Sequence, residues 1–230
     1  MNPTLHDFEK DPFLQFQDWY LQSQGKKATE KGFTGWVLRW ISPLLRWVFS
    51  MIIPAMDRFE FNAVTLATCN ANKEPSARVV LLKSYDENGY VFYTNYNSRK
   101  GKELEENPNA AMLFYWSYPP RQVRIRGRVE KLSREENILY WNSRPRGSQI
   151  SGAASMQSHS MAAREDFFEQ MRNVEMDANG GDIECPENWG GYRLIAEEYE
   201  FWQAQANRNH IRVSYRKATE VTWSKTWLQP

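Results

Sequence analysis

The segment "RQVRIRGRVEKL", residues 121–132, constrains the fold most, because apolar and polar positions alternate along it from 122 to 130. Successive side chains of a β-strand point to opposite faces of the sheet, so this pattern predicts a strand with one apolar face. The apolar face would carry Val123, Ile125, Gly127 and Val129, and the other face Gln122, Arg124, Arg126 and Arg128. We therefore expect one face on a core and a row of arginines on the other.

Further segments rich in β-branched and aromatic residues predict short strands along most of the chain. They cover residues 62–70, 77–85, 86–95, 110–116, 192–205, 211–217 and 220–228. The run "AAMLFYW" at 110–116 is apolar throughout, which favours a buried strand. Within 86–95, Asn88-Gly89 is a strong signal for a tight hairpin turn.

Fewer segments carry helix signals. Phe13, Phe16 and Tyr20 stand at helical spacing and predict a docking helix over about 11–25, ended by Gly25. Further helices are expected from Asn97 or Ser98 to Pro108, from the capping box of Ser133 and Glu136 to about Pro145, and over about 148–176. Many short strands with few helices favour a closed or partly closed β-barrel with helical appendages, in one domain spanning 1–230.

The overall composition excludes several classes of protein. Lys and Arg total 29 against 28 Asp and Glu, so charge gives no reason to expect a nucleic-acid partner. Cys69 and Cys185 stand far apart, and the three histidines do not cluster with them, so neither a disulfide framework nor a metal site is expected. The first residues lack the pattern of a secretory signal, which favours a cytoplasmic setting.

The segment "GFTGWVLRWISPLLRWVFSMIIPAM", residues 32–56, combines tryptophans and large aliphatics with Arg39 and Arg46. An arginine near the bilayer centre costs about 2.5–3.5 kcal/mol, and Pro43 and Pro54 interrupt the run, so a membrane span is not expected. Two short amphipathic helices over about 33–56 are expected instead. Their apolar face either packs on the protein or makes a peripheral contact with a membrane surface.

Cations recur at the predicted ends of strands and starts of helices. Arg78 and Lys83 flank four aliphatic residues of an expected buried strand, and Ser98-Arg99-Lys100 begins a helix. The free N–H groups of a helix start, next to cations, favour anions. Arg144, Ser148, Arg208 and Arg212 extend the set. Taken singly, each is consistent with an ordinary surface charge; together they suggest a phosphorylated small ligand.

Several segments also agree in order and spacing with a known family. From Asn62 onward, "RVVLLKSYDENGYVFYTNYNSRKGKELEENPNAAMLFYW", "RQVRIRGRVEKLS", "YWNSRPRGSQI", "QS" and "EFWQ" resemble the pyridoxine/pyridoxamine 5'-phosphate oxidases. The upstream "DPFLQFQDW" is similar to the family's Asp-Pro helix. The resemblance implies an FMN-binding split β-barrel of Greek-key type, mainly β, forming a homodimer with one FMN in each of two clefts between subunits.

The resemblance also implies the residues of the site. FMN would be held by Arg78, Val79, Val80, Leu81, Leu82, Lys83, Tyr93, Thr94, Ser98, Arg99, Lys100, Gln122, Gln157, Ser158, Trp202 and Arg212. The substrate would be held by Lys83, Tyr140, Arg144, Ser148, Arg208, Asn209 and His210. Arg208 and His210 would lie over the pyridine ring as the catalytic candidates, with positioning and electrostatic roles rather than that of a strong general base.

The reaction that the resemblance implies is the oxidation of pyridoxine or pyridoxamine 5'-phosphate to pyridoxal 5'-phosphate. Hydride would pass from C4' of the substrate to flavin N5, and dioxygen would reoxidise the flavin to give hydrogen peroxide. The protein would then position the two rings and stabilise charge, since the flavin supplies the difficult chemistry.

The chain departs from the family pattern in places, and two other functions stay open. Residues 208–212 read "RNHIR", so Asn209 and Ile211 replace the leucine and aspartate that the family usually has there, and 32–56 is an insertion. One alternative is another split-barrel flavoprotein of the flavin reductase type. The second is a protein that binds FMN or pyridoxal phosphate without turnover.

Overall fold

The computed structural model of the chain describes residues 4–24, 61–117 and 119–230. Gly25 and the expected insertion at about 33–56 lie outside these residues. In the described part, the helices are α1 (Pro12–Ser23), α2 (Arg99–Glu106), α3 (Arg134–Asn142), α4 (Arg146–Ala154) and α5 (Arg164–Ala178). The strands are β1 (Ala63–Cys69), β2 (Pro75–Leu81), β3 (Ser84–Asp86), β4 (Gly89–Asn95), β5 (Asn109–Ser117), β6 (Pro120–Lys131), β7 (Trp189–Gln203), β8 (Ile211–Lys217) and β9 (Trp223–Trp227).

The described strands form one sheet in the order β2-β1-β5-β6-β7-β4-β3, with β8 paired to β7 and β9 paired to β8. The mainly β class expected from the sequence is therefore confirmed. The chain forms two compact units. The central unit consists of Val64–Met112 and Ile125–Glu197, and the terminal unit of Met1–Ala63, Leu113–Arg124 and Glu198–Pro230. The expectation of a single domain stays a prediction.

Helix α1 forms where the sequence predicts a docking helix. Asp11 is its N-cap, and Asp11 Oδ1 accepts a hydrogen bond from the backbone N–H of Phe13 at 2.8 Å. Such a cap stabilises a helix by about 1 kcal/mol. Phe16 is fully buried and meets Phe114 edge-on, with ring centroids 5.1 Å apart. Helix α1 thus packs on the apolar face of β5 within the terminal unit.

Strand β6 has the two faces that its alternation predicts. Val123, Ile125 and Val129 are buried, and Arg124, Arg126 and Arg128 between them are exposed. At Gly127, a Cβ atom would lie only 1.8 Å from the carbonyl oxygen of Ile195 on β7. Any side chain at Gly127 would therefore force these two strands apart.

The hairpin between β3 and β4 turns one residue earlier than expected. Asp86 pairs with Gly89, so Glu87 and Asn88 form the turn instead of Asn88-Gly89. Asp86 Oδ1 accepts the backbone N–H of Asn88 at 2.9 Å and that of Gly89 at 3.1 Å, which favours this turn. Gly89 adopts φ 141°, a conformation that side chains disfavour.

Three further expectations were wrong. Strand β5 alternates, with Tyr115 60% exposed, so it is not buried on both faces. Val79 on β2 is 65% exposed, so β2 is not a buried strand either. The helical region expected over about 148–176 is interrupted, because α4 ends at Ala154 and α5 begins at Arg164. The connection contains Ser158 in a left-handed conformation, φ 71°, which a continuous helix excludes.

Candidate functional site

The central unit contains a cavity of about 870 Å³. It is lined by β2, β4, the first turn of α2, the residues from the end of α3 through α4, and Trp189 at the start of β7. The sequence-predicted residues among its lining are Arg78, Val79, Val80, Leu81, Lys83, Tyr93, Thr94, Arg99, Lys100, Tyr140, Arg144, Ser148, Gln157 and Ser158. The structure therefore gathers most of the candidates for the cofactor, and four for the substrate, around one space, which we call the cationic cavity.

Lys100 presents a buried ammonium group at this cavity. Its Nζ donates hydrogen bonds to Gln157 Oε1 at 2.8 Å, to Thr94 Oγ1 at 3.0 Å and to Ser98 Oγ at 3.3 Å. Burial, and then the charge of Arg78, lower the pKa of Lys100 to about 8. Lys100 is therefore a cation at neutral pH, whose charge favours an anionic group at the cavity, and it loses its proton in mildly basic solution.

Glu103 holds two arginines of the cavity in place. Its Oε1 accepts from Arg99 Nε at 2.9 Å, and its Oε2 accepts from Arg78 Nη2 at 3.1 Å and from the hydroxyls of Ser76 and Thr68. Burial opposes its ionisation, but hydrogen bonds from Ser76, Thr68 and Arg99 and the charge of Arg78 outweigh burial and lower the pKa of Glu103 to about 2. Glu103 is thus a carboxylate at neutral pH that orients both guanidinium groups.

Stacked aromatic rings form another part of the wall. Tyr93 stacks on Tyr140, with ring centroids 4.0 Å apart, and on Trp189, with centroids 5.2 Å apart. Burial, and then Tyr140, raise the pKa of Tyr93 to about 12, so its hydroxyl stays protonated. These rings offer flat apolar surface beside the cations.

Arg144 lies against two indole rings. Its guanidinium carbon is 4.7 Å from the ring centroid of Trp189 and 4.9 Å from that of Trp141. The Nη1 atom of Arg144 is enclosed and has no hydrogen-bond acceptor among the described residues. Burial lowers the pKa of Arg144, although an arginine remains charged at neutral pH. A half-buried cation with an enclosed N–H group that lacks an acceptor favours an anionic ligand.

Two predicted FMN residues are buried behind the cavity wall. Leu82 is 3% exposed and belongs to the core. Ser98 is fully buried as the N-cap of α2, where its Oγ accepts the N–H of Gly101 at 3.3 Å. In this structure, Ser98 therefore orders the helix start and contacts Lys100, rather than lining the cavity itself.

The remaining candidates lie in the terminal unit: Gln122, Trp202, Arg208, Asn209, His210 and Arg212. A cavity of about 720 Å³ in this unit, which we call the C-terminal cavity, is lined by Asn209, His210 and Arg212 and by residues 227–230. Gln122, Trp202 and Arg208 are not among the residues that line either of these two cavities. The predicted residues thus fall into two sets, one in each unit, and we call the six residues of the terminal unit the C-terminal set.

Arg212 and His210 are oriented by specific contacts. Arg212 Nε donates to Glu200 Oε1 at 2.8 Å, and Arg212 Nη1 donates to the carbonyl oxygen of Gln229 at 2.8 Å. Glu200 thus supplies a carboxylate partner although residue 211 is isoleucine. His210 Nδ1 accepts the backbone N–H of Gln205 at 3.2 Å, so the neutral ring carries its proton on Nε2.

Arg208 and Trp202 flank His210. Arg208 is exposed and adopts φ 59°, next to Asn207 at φ 56°. A left-handed conformation costs a non-glycine residue about 1–3 kcal/mol and is often found at functional sites. The ring of Trp202 packs on that of His210, with centroids 4.7 Å apart.

Sequence reasoning missed several residues of the cationic cavity, among them Asn95, Gly152 and Trp189 in its lining and Glu103, which holds two of its arginines. Glu103 stands four positions after Arg99, a spacing that allows an ion pair on one helix face and could have indicated it. Trp189 stands beside two glycines in a glycine-rich stretch, which predicts a loop rather than the start of a strand. Gly152 carried the signal of a glycine inside a predicted helix.

Neither a metal site nor a membrane-spanning helix is present in the part of the chain that the structure describes. No group of three or more His, Cys, Asp or Glu side chains there is arranged to hold a metal ion. No helix within the same residues is long and apolar enough to cross a membrane.

Comparison with known proteins places these observations in a family. The family described as "Pyridoxamine 5'-phosphate oxidase" matches residues 52–171, and the "Pyridoxine 5'-phosphate oxidase C-terminal dimerisation region" matches residues 189–230. A pyridoxine/pyridoxamine 5'-phosphate oxidase of Trichormus variabilis is 46% identical over 244 residues, which cover 100% of both chains. A putative pyridoxamine 5'-phosphate oxidase of Caenorhabditis elegans is 48% identical and covers 74% of this chain and 76% of its own.

Two solved structures have the same fold. PhzG from Burkholderia lata, in complex with tetrahydrophenazine-1-carboxylic acid, has a TM-score of 0.70 at 34% identity and covers 81% of this chain and 90% of its own. A pyridoxamine 5'-phosphate oxidase-related, FMN binding protein of Nostoc punctiforme has a TM-score of 0.62 at 16% identity, covering 83% of this chain and 99% of its own. The split-barrel fold class expected from the sequence is therefore confirmed.

Proposed function

This chain belongs to the pyridoxamine 5'-phosphate oxidase family, and on that premise we propose that it oxidises pyridoxine or pyridoxamine 5'-phosphate to pyridoxal 5'-phosphate with FMN as its cofactor. One observation carries the proposal. Lys83, Tyr140, Arg144 and Ser148, the candidates for the substrate phosphate, line the same cavity as the candidates for FMN. A flavin reductase would not need these four side chains together.

The residues of the cationic cavity fit FMN. A phosphate needs cations and hydroxyl donors, and Arg78, Arg99 and Lys100 stand here with Thr94. Glu103 fixes the two arginines before a ligand arrives, which lowers the cost of ordering them. FMN, when bound, would supply the acceptor for two electrons from C4' of the substrate; dioxygen with two protons would then take them up as hydrogen peroxide, and with the amine substrate water would release ammonia.

We assign the substrate phosphate to the part of the cavity around Arg144. Its guanidinium carries a charge without an acceptor for the enclosed Nη1. Lys83 contributes a second cation, and the hydroxyls of Tyr140 and Ser148 contribute donors. These groups hold the substrate by its phosphate and so restrict the position of its ring, and the binding energy of this remote group helps to orient the reacting carbon.

In a homodimer, Arg208 and His210 would act on the pyridine ring, and Gln122, Trp202 and Arg212 would contact FMN. A match to a dimerisation region at residues 189–230 supports association of two copies, and the resemblance implies a cofactor cleft between them. Arg208 would then supply positive charge, and the Nε2–H of His210 would supply a hydrogen-bond donor. We assign positioning and electrostatic roles to both and no strong general base.

An anaerobic titration tests the proposal. The purified protein should be yellow, and pyridoxine 5'-phosphate added without oxygen should bleach the flavin absorbance, which air then restores with release of hydrogen peroxide. Bleaching that requires a nicotinamide would indicate a flavin reductase, and ligand binding without bleaching would indicate a carrier. Since the PhzG structure holds tetrahydrophenazine-1-carboxylic acid, bleaching by that compound but not by pyridoxine 5'-phosphate would also contradict the proposal.

A further inference from the structure

Gly152 occupies an unusual position inside helix α4. A glycine in a helix interior is less favourable than alanine, so its presence calls for a packing reason. A Cβ atom built at Gly152 would lie 2.9 Å from Nη1 of Arg144 and 3.1 Å from the ring of Trp141. The space that a side chain would take is thus occupied by the guanidinium of Arg144.

The guanidinium of Arg144 is enclosed on several sides. The guanidinium is bounded by the indoles of Trp189 and Trp141 and by the backbone of Gly152. Trp141 and Trp189 meet edge-on, with centroids 4.7 Å apart, and Trp141 is fully buried. Its indole Nε1 donates to the carbonyl oxygen of Ile183 at 2.7 Å, so this ring cannot easily move. The adaptable member of the contact is therefore the arginine.

Trp189 is also held firmly. The following residues, Gly190 and Gly191, are fixed by Asn137, whose Oδ1 accepts the N–H of Gly191 at 2.8 Å. A Cβ at Gly190 would lie 2.5 Å from Asn137 Nδ2, so this strand start is closely packed. Both indoles thus form a fixed corner, and the guanidinium lies in it only because position 152 has no side chain.

We propose that Gly152 is a positioning residue that sets the specificity for a phosphorylated substrate, by leaving room for Arg144 in the corner of Trp141 and Trp189. This inference rests on the proposed function, since it takes Arg144 as the group that binds the substrate phosphate. No carboxylate of the described residues pairs with Arg144, so the anion it meets comes with the ligand. Displacing the guanidinium would weaken phosphate binding while leaving the fold in place.

The substitution Gly152→Ala tests this, with Gly147→Ala as the matched control. Gly147 lies in the same helix, and a Cβ there would meet nothing within 4 Å. Gly147→Ala favours the helix and should melt at or near the wild-type temperature. Gly152→Ala should melt somewhat lower, because its methyl group also meets the buried ring of Trp141 at 3.1 Å. Losing one charge-assisted hydrogen bond weakens binding by roughly tenfold or more, so Gly152→Ala should raise KM for pyridoxine 5'-phosphate by about that factor. The control should leave KM and kcat unchanged, and any fall in kcat of Gly152→Ala should be smaller than its rise in KM.

A double-mutant cycle shows whether Gly152 acts through Arg144. In the background Arg144→Ala, adding Gly152→Ala should cause no further rise in KM. Equal losses from Gly152→Ala in both backgrounds, or an unchanged KM in the single variant, would overturn the proposal. A fall in kcat and melting temperature without a change in KM would also overturn it, because such a result describes general damage.

Ligand binding separates this inference from the proposed function. Calorimetric titration of the wild type and Gly152→Ala with pyridoxal 5'-phosphate, and with pyridoxal as the unphosphorylated control, needs no turnover. Weaker binding of the phosphorylated ligand alone supports the positioning role even if the wild type oxidises nothing. Equal binding of pyridoxal 5'-phosphate by both proteins contradicts that role even if the wild type is an active oxidase.

Discussion

Lys100 is the titratable group whose protonation should control cofactor binding. Burial, and then Arg78, lower its pKa to about 8 from the usual 10.5, and its ammonium contacts three side-chain oxygens at the cavity. An FMN phosphate is a dianion above about pH 7, so its own charge is then constant. The affinity for FMN should fall about tenfold per pH unit above pH 8, until the pKa of Lys100 in the complex is reached. Flavin fluorescence quenching between about pH 6.5 and 9.5 measures this slope.

The same titration should affect stability in the opposite direction. The unfolded chain binds a proton at Lys100 up to about pH 10.5, whereas the cofactor-free folded chain loses it near pH 8. The contribution of Lys100 to the free energy of unfolding therefore rises with pH across that window.

Lys100→Met should bind FMN about 10- to 100-fold more weakly at pH 7 and abolish the pH dependence of the FMN affinity. Exposed Lys102→Met, in the same helix, should retain both affinity and slope. A slope that persists in Lys100→Met would assign the titration to another group.

At the residue scale, sequence patterns identified cationic side chains better than the groups that hold them. Lys100, Arg78 and Arg144 belong to motifs or to strand and helix ends, and they line the cationic cavity. Sequence patterns did not identify Glu103 and Trp189, because their roles depend on contacts between segments that are far apart in the chain. Gly152 stands out in the sequence only as a glycine inside a predicted helix, and its role becomes clear once the position of Arg144 is known.

Glu103 links helix α2 to the strands beside it. It joins Arg99 on α2 with Arg78 and Ser76 on β2 and Thr68 on β1. Removing one partner of a buried ion pair costs about 3–5 kcal/mol because the other charge stays buried. Glu103→Gln keeps the shape but not the charge, so we expect about 2–4 kcal/mol lower stability in urea unfolding at pH 7.

Glu105 provides the control on the same helix. Glu105 pairs with Lys131, and the side chains are 66% and 45% exposed, respectively, so Glu105→Gln should cost at most about 1 kcal/mol. The pH dependence gives a second check. The folded pKa of Glu103, about 2, is below the usual 4.5, so its stabilisation is complete above about pH 4.5 and is lost as the pH falls toward 2. The gap between wild type and Glu103→Gln should therefore narrow at pH 3; a constant gap would contradict the assigned ionisation.

At the scale of elements, types of structure followed from periodicity more reliably than boundaries. The alternation of β6 and the capping box of α3 depend on local spacing, and both occur as expected. The hairpin shifted because the side chain of Asp86 caps the turn, a contact that competes with the preference of Asn88-Gly89. The break between α4 and α5 allows Gln157 Oε1 to accept a hydrogen bond from Lys100 Nζ at 2.8 Å. Helical periodicity does not reveal such a tertiary contact.

At the scale of the molecule, the two sets of candidate residues lie in different units, and the family match assigns residues 189–230 to a dimerisation region. We expect each active site to combine the cationic cavity of one copy with the C-terminal set of the other. Closed twofold symmetry would then create two equal sites in each dimer. This arrangement can be tested without a structure of the dimer.

Lys100→Met and Arg212→Ala should each lack most activity as homodimers. Unfolded together and refolded as a mixture, they should regain about a quarter of wild-type activity, because half of the dimers are mixed and each mixed dimer has one intact site. The intact site combines the unaltered cavity of one copy with the unaltered C-terminal set of the other. If each copy built its site alone, both sites of a mixed dimer would carry one substitution, and activity would not recover. As a control, each variant is refolded separately, and the two are mixed for a time too short for the dimers to exchange subunits. Activity should then not recover, which shows that recovery requires assembly of mixed dimers and not refolding alone.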